Sequence, residues 1–327
     1  MNTHARARGA RILSTRSRMA TMATMATLAT GLAAALFPAD AMACACGCGV
    51  FDVGTSAMYA SHAGGMVYAE YDLMDQDQNR NGTSSAPADN NEDKRVRTGF
   101  YTLGGQYFFN RTWGVSVDLP YWQRDFSTTD PDTGQVVSHS HGALGDARLR
   151  VTYAGLSEDM SIGLTAGLKL ANGDSTYANF DADTEIGSGS TDLLLGAYKL
   201  GRLSADQRWS WYAQLALDAP VAHKSNYKPG AEAVAVFGVY YEGWQLGQSA
   251  KLSPVAQLRA LHRLEDGGPD GHPQDTGYTR LLASPGLELS AGNWRVYADV
   301  ALPVYTNVRG NQLVANRLWK LNVAYHF

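Results

Sequence analysis

Trp319-Lys320-Leu321-Asn322-Val323-Ala324-Tyr325-His326-Phe327 are the last nine residues of the sequence, and their alternation decides the fold. Successive side chains of a β-strand point to opposite faces. Trp319, Leu321, Val323, Tyr325 and Phe327 therefore share one face, and Lys320, Asn322, Ala324 and His326 share the other. The same division runs through 294–304, where Trp294, Val296, Ala298, Val300, Leu302 and Val304 alternate with Arg295, Tyr297, Asp299, Ala301 and Pro303. It recurs at 113–121, with Trp113, Val115, Val117, Leu119 and Tyr121 against Gly114, Ser116, Asp118 and Pro120. One face is apolar; the other is polar or small.

Parity does not say which face points inward, so the tryptophans must. Trp113, Trp209, Trp211, Trp244 and Trp294, five of the seven, lie beside short turns. A greasy soluble core would spread them along the strands, whereas a membrane barrel gathers them at the lipid–water interface. With Tyr107, Phe109, Tyr325 and Phe327 they are expected to form a periplasmic girdle, and Trp122, Tyr305 and Trp319 an outer one. Tyr325 and Phe327 also resemble the C-terminal signal that the outer-membrane barrel assembly machinery reads in bacteria.

Working outward, twelve alternating segments of roughly 11–14 residues follow, near 64–75, 95–108, 113–126, 144–155, 160–171, 190–201, 208–219, 231–243, 251–264, 277–289, 294–305 and 316–327. Long polar connections near 76–94, 127–143, 172–189, 220–230, 265–276 and 306–315 alternate with short turns near 109–112, 156–159, 202–207, 244–250 and 290–293. Short periplasmic turns and long outer loops give a transmembrane β-barrel this rhythm. The expected fold is all-β, an antiparallel transmembrane β-barrel of about twelve strands with both termini periplasmic. Residues 231–264 are the least regular, since 231–241 is apolar on both faces and Pro254 needs a place where a ladder hydrogen bond is dispensable. Misreading these two strands would leave ten.

The composition agrees. Of 327 residues 45% are apolar and 18% charged, and 34 glycines stand against 11 prolines, which suits a folded β-protein and not a disordered or collagen-like chain. The first 43 residues differ, with Arg6, Arg8, Arg11, Arg16 and Arg18 followed by a small, apolar run from Met19 to Phe37 and then Ala41-Met42-Ala43. This reads as a secretory signal peptide, a retained anchor being disfavoured by the run's four threonines. The expected organisation is signal peptide 1–43, a Cys-rich periplasmic segment 44–63 too short to fold an energy-coupling plug, and a barrel over 64–327. Removing 1–43, with five of the 27 basic and one of the 31 acidic side chains, takes the net charge from −4 to −8. Such a balance argues against a nucleic-acid partner.

The three cysteines, Cys44, Cys46 and Cys48, are crowded into Cys-Ala-Cys-Gly-Cys. Closely spaced thiolates suit a soft metal such as Cu(I) or Zn(II). A Cys44–Cys48 disulfide with one thiol left over fits an oxidising compartment equally, and acylation of Cys44 is the third reading, although Ala41 and Met42 match a lipobox poorly. His139 and His141 alternate in Ser-His-Ser-His but lack a third ligand, and they read as solvated loop histidines. Parity places Asp118, Arg148, Arg150, Lys169, Asp192, Asp218, Arg259, Arg295, Asp299 and Lys320 in the lumen, together with Glu70, Asp72, Gln214, Arg263 and Glu288. Charges of both signs there would either select solutes at a water-filled constriction or fill a narrow barrel with ion pairs. No catalytic signature is present: there is no Gly-x-Ser-x-Gly elbow, phosphate loop, His-Glu-x-x-His or haem attachment site.

Several stretches resemble the outer-membrane transporter-type barrels grouped under the MetA pathway of phenol degradation. They are Gly145-Asp-Ala-Arg-Leu-Arg-Val-Thr-Tyr153, Gly167-Leu-Lys-Leu-Ala-Asn-Gly-Asp174, Gly187-Ser-Gly-Ser-Thr-Asp-Leu-Leu-Leu-Gly-Ala-Tyr198 and Leu302-Pro-Val-Tyr-Thr-Asn-Val-Arg-Gly-Asn-Gln312. Where such proteins usually carry Pro-Thr-Gly, this chain has Ala171-Asn-Gly173. The resemblance implies fold and location, carries across no substrate residue, and leaves the cysteines unexplained. The expected function is passive passage of a small solute across the outer membrane of a Gram-negative cell by a monomeric barrel, with the lipid bilayer, the assembly machinery and that solute as partners. No cofactor is expected beyond a soft metal at the cysteines. The alternatives are a metal-handling protein using those cysteines and a lipid-modifying enzyme, the latter needing a serine–histidine pair on adjacent strands where His262 and His326 are the only strand histidines.

Overall fold

A computed structural model describes residues 62–224 and 226–327, so the expected signal peptide and Cys44, Cys46 and Cys48 lie outside the described residues. The chain forms β1 (Gly64–Gly82), β2 (Ser84–Ser85), a 3₁₀ turn (Ala88–Asn90), β3 (Asp93–Phe108), β4 (Trp113–Thr129), β5 (Val136–Leu144), β6 (Arg148–Tyr153) and β7 (Ile162–Lys169). It continues through β8 (Ser190–Arg202), β9 (Trp209–His223), β10 (Glu232–Tyr241), β11 (Trp244–Leu246), β12 (Ala250–Arg263), β13 (Tyr278–Ala291) and β14 (Trp294–His326). Neighbours pair antiparallel in the order β10-β9-β8-β7-β6-β4-β3-β1-β14-β13-β12, and β12 pairs back onto β10. The result is a closed barrel of eleven strand elements, with β2, β5 and β11 outside the ring. No α-helix occurs among the described residues.

Eleven elements replace the expected twelve because β14 covers both of the last two expected strands. Fully extended, its 33 residues would reach about 110 Å. Instead Val308 pairs with both Gly82 of β1 and Tyr278 of β13, Gly310 takes φ +64°, and the Trp294 ring lies 4.9 Å from that of Tyr325. The element therefore doubles back, and its arms 294–308 and 311–326 each occupy a place in the wall. The ten-strand alternative fails, since β10 and β12 hold separate places. Pro254 lies between Leu252, the last β12 residue paired with β11, and Val255, the first paired with β10.

Three expected loops are largely strand. β1 runs to Gly82, β4 runs to Thr129 and is met by β5 over Tyr121↔Leu144 to Thr129↔Val136, and 306–315 belongs to β14. Strand pairing does not depend on apolar side chains, because polar ones support a ladder in water. The 19 residues of β1 extend about 60 Å, against a hydrocarbon core of about 30 Å.

The faces are inverted relative to a water-soluble protein. Val117, Leu149, Leu168 and Leu193 are cross-strand partners on β4, β6, β7 and β8, and all four are exposed on the outside. Leu103 is 62% exposed, whereas Arg259 and Lys320 inside are 1% and 3%. An uncovered apolar belt of this extent is a liability in water and a requirement in lipid. At the short-turn end the rings gather in pairs, Trp113 with Tyr153, Trp209 with Tyr241, Tyr241 with Trp244 and Tyr107 with Phe109. Trp122 is not in the outer girdle: it sits on the inward, even-numbered face of β4, buried edge-on against Phe100 at 4.8 Å.

Candidate functional site: the barrel lumen

Inner-face charges fall into register rows. Asp118, Arg148, Lys169 and Asp192 are successive cross-strand partners through β4, β6, β7 and β8. Arg150 and the Tyr68 hydroxyl both donate to the Asp118 carboxylate. Lys169 pairs with Asp192 and stands 3.8 Å from Asp218. Across the lumen, Lys320 lies 2.7 Å from Glu70 and 3.4 Å from Asp72, and Arg259 pairs with Asp299, which also accepts the Tyr297 hydroxyl at 2.6 Å. Arg295 approaches Glu288 at 3.4 Å. Most of the charged residues that parity assigns to the lumen are thus paired with a charge on a neighbouring strand.

The two halves of the lumen differ. On the β12–β14 side the Arg259, Asp299, Tyr297 and Gln257 side chains are buried and fill the space. Along β6–β10 a cavity of about 230 Å³ remains, bounded by Tyr68, Arg150, Lys169 and Asp192 and closed above by Glu185, Ile186 and Tyr227. It exists because the inner positions there are small: Thr165, Gly196 and Ala216. A Cβ on Gly196 would meet nothing nearer than 3.4 Å.

The cover is mainly the connection between β7 and β8, which folds inward, with Tyr227 added from the connection between β9 and β10. Asp146, at the break between β5 and β6, accepts the Gly173 N–H at 2.9 Å, the Ser188 N–H at 2.7 Å and the Ser188 hydroxyl at 2.6 Å. Asn172 Oδ1 accepts the Ala147 N–H at 2.9 Å. Gly173 and Gly187 meet backbone to backbone; a Cβ on Gly173 would stand 2.8 Å from the Gly187 Cα. Three of the stretches that carry the family resemblance therefore converge on one junction. Farther along, buried Arg124 donates to Thr98 Oγ1 at 2.9 Å, to the Glu185 carbonyl at 3.1 Å and to that of Thr184. Phe180 packs edge-on against Phe126 beside Val96 and Leu313.

His139 and His141 are strand residues, not loop residues, and both are half-buried. They occupy β5, opposite Phe126 and Arg124, and His141 Nε2 lies 2.8 Å from Asp174 while its ring stacks on Tyr177 at 4.1 Å. The hydrogen bond to His141 holds the Asp174 carboxyl below the usual carboxylate range. Burial, reinforced by Asp174, pushes Glu185 up to about 7. Asp146, Arg124 and Glu185 were not among the residues singled out from the sequence. Asp146 lay within a quoted stretch, Arg124 had inward parity, and nothing local marked Glu185.

Among the described residues no group of three or more His, Cys, Asp or Glu is placed to hold a metal ion. No protein-family model and no curated protein matches the chain, so the resemblance drawn from its short motifs rests on those motifs alone. Among solved structures, the crystal structure of an outer membrane channel from Pseudomonas putida F1 aligns with a TM-score of 0.62 at 14% identity, over 84% of this chain and 100% of that one. That likeness shows the fold. The β-domain of the Bordetella autotransporter Brka (TM-score 0.46, 11% identity, 81% of this chain and 100% of that one) and the translocator domain of the autotransporter NalP from Neisseria meningitidis (0.43, 14%, 94% and 98%) are more distant likenesses.

Proposed function

We propose that the chain is an outer-membrane channel through which a small solute moves passively, using the cavity along β6–β10 and the inward β7–β8 connection as its filter. The observation that carries this reading is the inversion of the faces: a continuous apolar belt outside, charge pairs and an unfilled space inside. The two ends of the barrel segment lie at the short-turn end, where the aromatic pairs gather, and short turns are the periplasmic feature of such barrels, which supports the reading that both termini are periplasmic. Phe327 lies there, 58% exposed, its N–H donating to the Gly65 carbonyl at 2.9 Å, a position from which Tyr325 and Phe327 serve as the assembly signal.

The full chain, refolded in detergent and verified by heat-dependent gel mobility, should give discrete conductance steps in a planar bilayer. A folded barrel that stays silent would overturn the open-channel reading.

A further inference from the structure

Outside the inward connection lies a second cavity, of about 310 Å³, on whose wall Tyr177, Phe180 and Tyr227 supply aromatic surface and Glu185 and Asp270 supply carboxyls. Ala182, Glu185, Ser188 and Tyr227 line both this outer cavity and the luminal one, so Glu185 stands at the wall between them. The half-buried Glu185 carboxyl accepts a hydrogen bond from the Tyr177 backbone, while its Oε2 has no hydrogen-bond partner. The connection carries Asp174, Asp181, Asp183 and Glu185 and no Lys or Arg between residues 170 and 189. Of the neighbouring cations, Arg124 is engaged with Thr98 and two carbonyls, His141 with Asp174, and Arg263, beside the Tyr227 hydroxyl, with Asp266. Aromatic faces beside a carboxylate attract a weakly hydrated organic cation: the ring quadrupole and the carboxylate act together, and methyl groups on the cation lose little by leaving water. An anion would meet acid groups there instead.

From these features we infer that the outer cavity is a recognition site for a small organic ammonium ion, held between Glu185 and the Tyr177, Phe180 and Tyr227 rings. The inference rests on the channel reading for its purpose, since it names the class of solute admitted at the outer end. Its binding chemistry stands without conductance.

The probe is tetramethylammonium, and binding is read by calorimetry on the full chain folded in detergent, with tert-butanol as an uncharged compound of similar shape and acetate as an anion. Tetramethylammonium should bind measurably and the other two should not. Glu185→Gln, similar in size and checked for folding by gel mobility, should weaken binding about tenfold, and Tyr177→Leu several-fold. Binding should strengthen as pH rises through about 7, where the Glu185 carboxyl ionises among Asp174, Asp181 and Arg124. Equal binding of tert-butanol, or wild-type affinity in Glu185→Gln, would overturn the assignment. Because calorimetry needs no current, a silent barrel that binds tetramethylammonium sinks the channel reading alone, and a conducting barrel that ignores it sinks this inference alone.

Discussion

Asp299→Ala should destabilise the folded barrel by about 3–5 kcal/mol, the largest loss expected from a single change in the lumen. Arg259 and Asp299 are each 1% exposed at the side chain, so removing the carboxylate strands a guanidinium where water does not reach it. Nη2 of Arg259 contacts Asp299, while Nε and Nη1 make no hydrogen bond, so few other groups take up the charge. The Tyr297 hydroxyl and the Gln257 amide lose an acceptor as well. The same logic predicts a rescue: Arg259→Met combined with Asp299→Leu should regain most of the stability, because a buried pair exchanged for apolar side chains of similar volume is often neutral or better. Urea unfolding in detergent, followed by the loss of the heat-modifiable gel band, reads both variants. A single variant within about 1 kcal/mol of the parent would show that water enters this side of the lumen and solvates Arg259.

The wall was legible in the sequence, and the cover was not. A strand's two-residue period is local, so the alternation at 113–121, 294–304 and 319–327 fixed which residues face in, and the aromatic rings beside the turns fixed the sense of the faces. Parity even contained the answer for Trp122, an even-numbered residue of β4, which the girdle argument overrode. Strand ends were less legible, because the Ser and His side chains of β5 are as polar as a loop and support a ladder all the same. The inward connection depends on contacts between positions distant in the chain: Arg124 with Thr184, Asp146 with Ser188, His141 with Asp174. No periodic signal encodes these. The quoted stretches around Gly145, Gly173 and Gly187 marked the ends of that connection, but only the fold shows that the three glycine-containing turns touch.

Asp146→Ala should release the β7–β8 connection while leaving the barrel intact. Asp146 lies in the gap between β5, which ends at Leu144, and β6, which begins at Arg148, so its loss removes no ladder pair. What it removes is the shared acceptor for Gly173 and Ser188, three hydrogen bonds to a mostly buried carboxylate, each worth roughly 1.5–3 kcal/mol. Local openings draw on free energies below the global stability, and a loss of even about 3 kcal/mol shifts such an equilibrium more than a hundredfold. The expected phenotype is a larger, noisier conductance together with chymotryptic cleavage at Tyr177 or Phe180, with heat-dependent gel mobility preserved. Asp146→Asn keeps one oxygen acceptor but presents an amide to the other partner, and it should fall between the two. Gly187→Val reaches the same junction from the opposite side, since its side chain would collide with the backbone of Gly173. If both Asp146→Ala and Gly187→Val keep parental conductance and protection, then Arg124 and the Phe126–Phe180 contact hold the connection by themselves, and Asp146 does not anchor the filter.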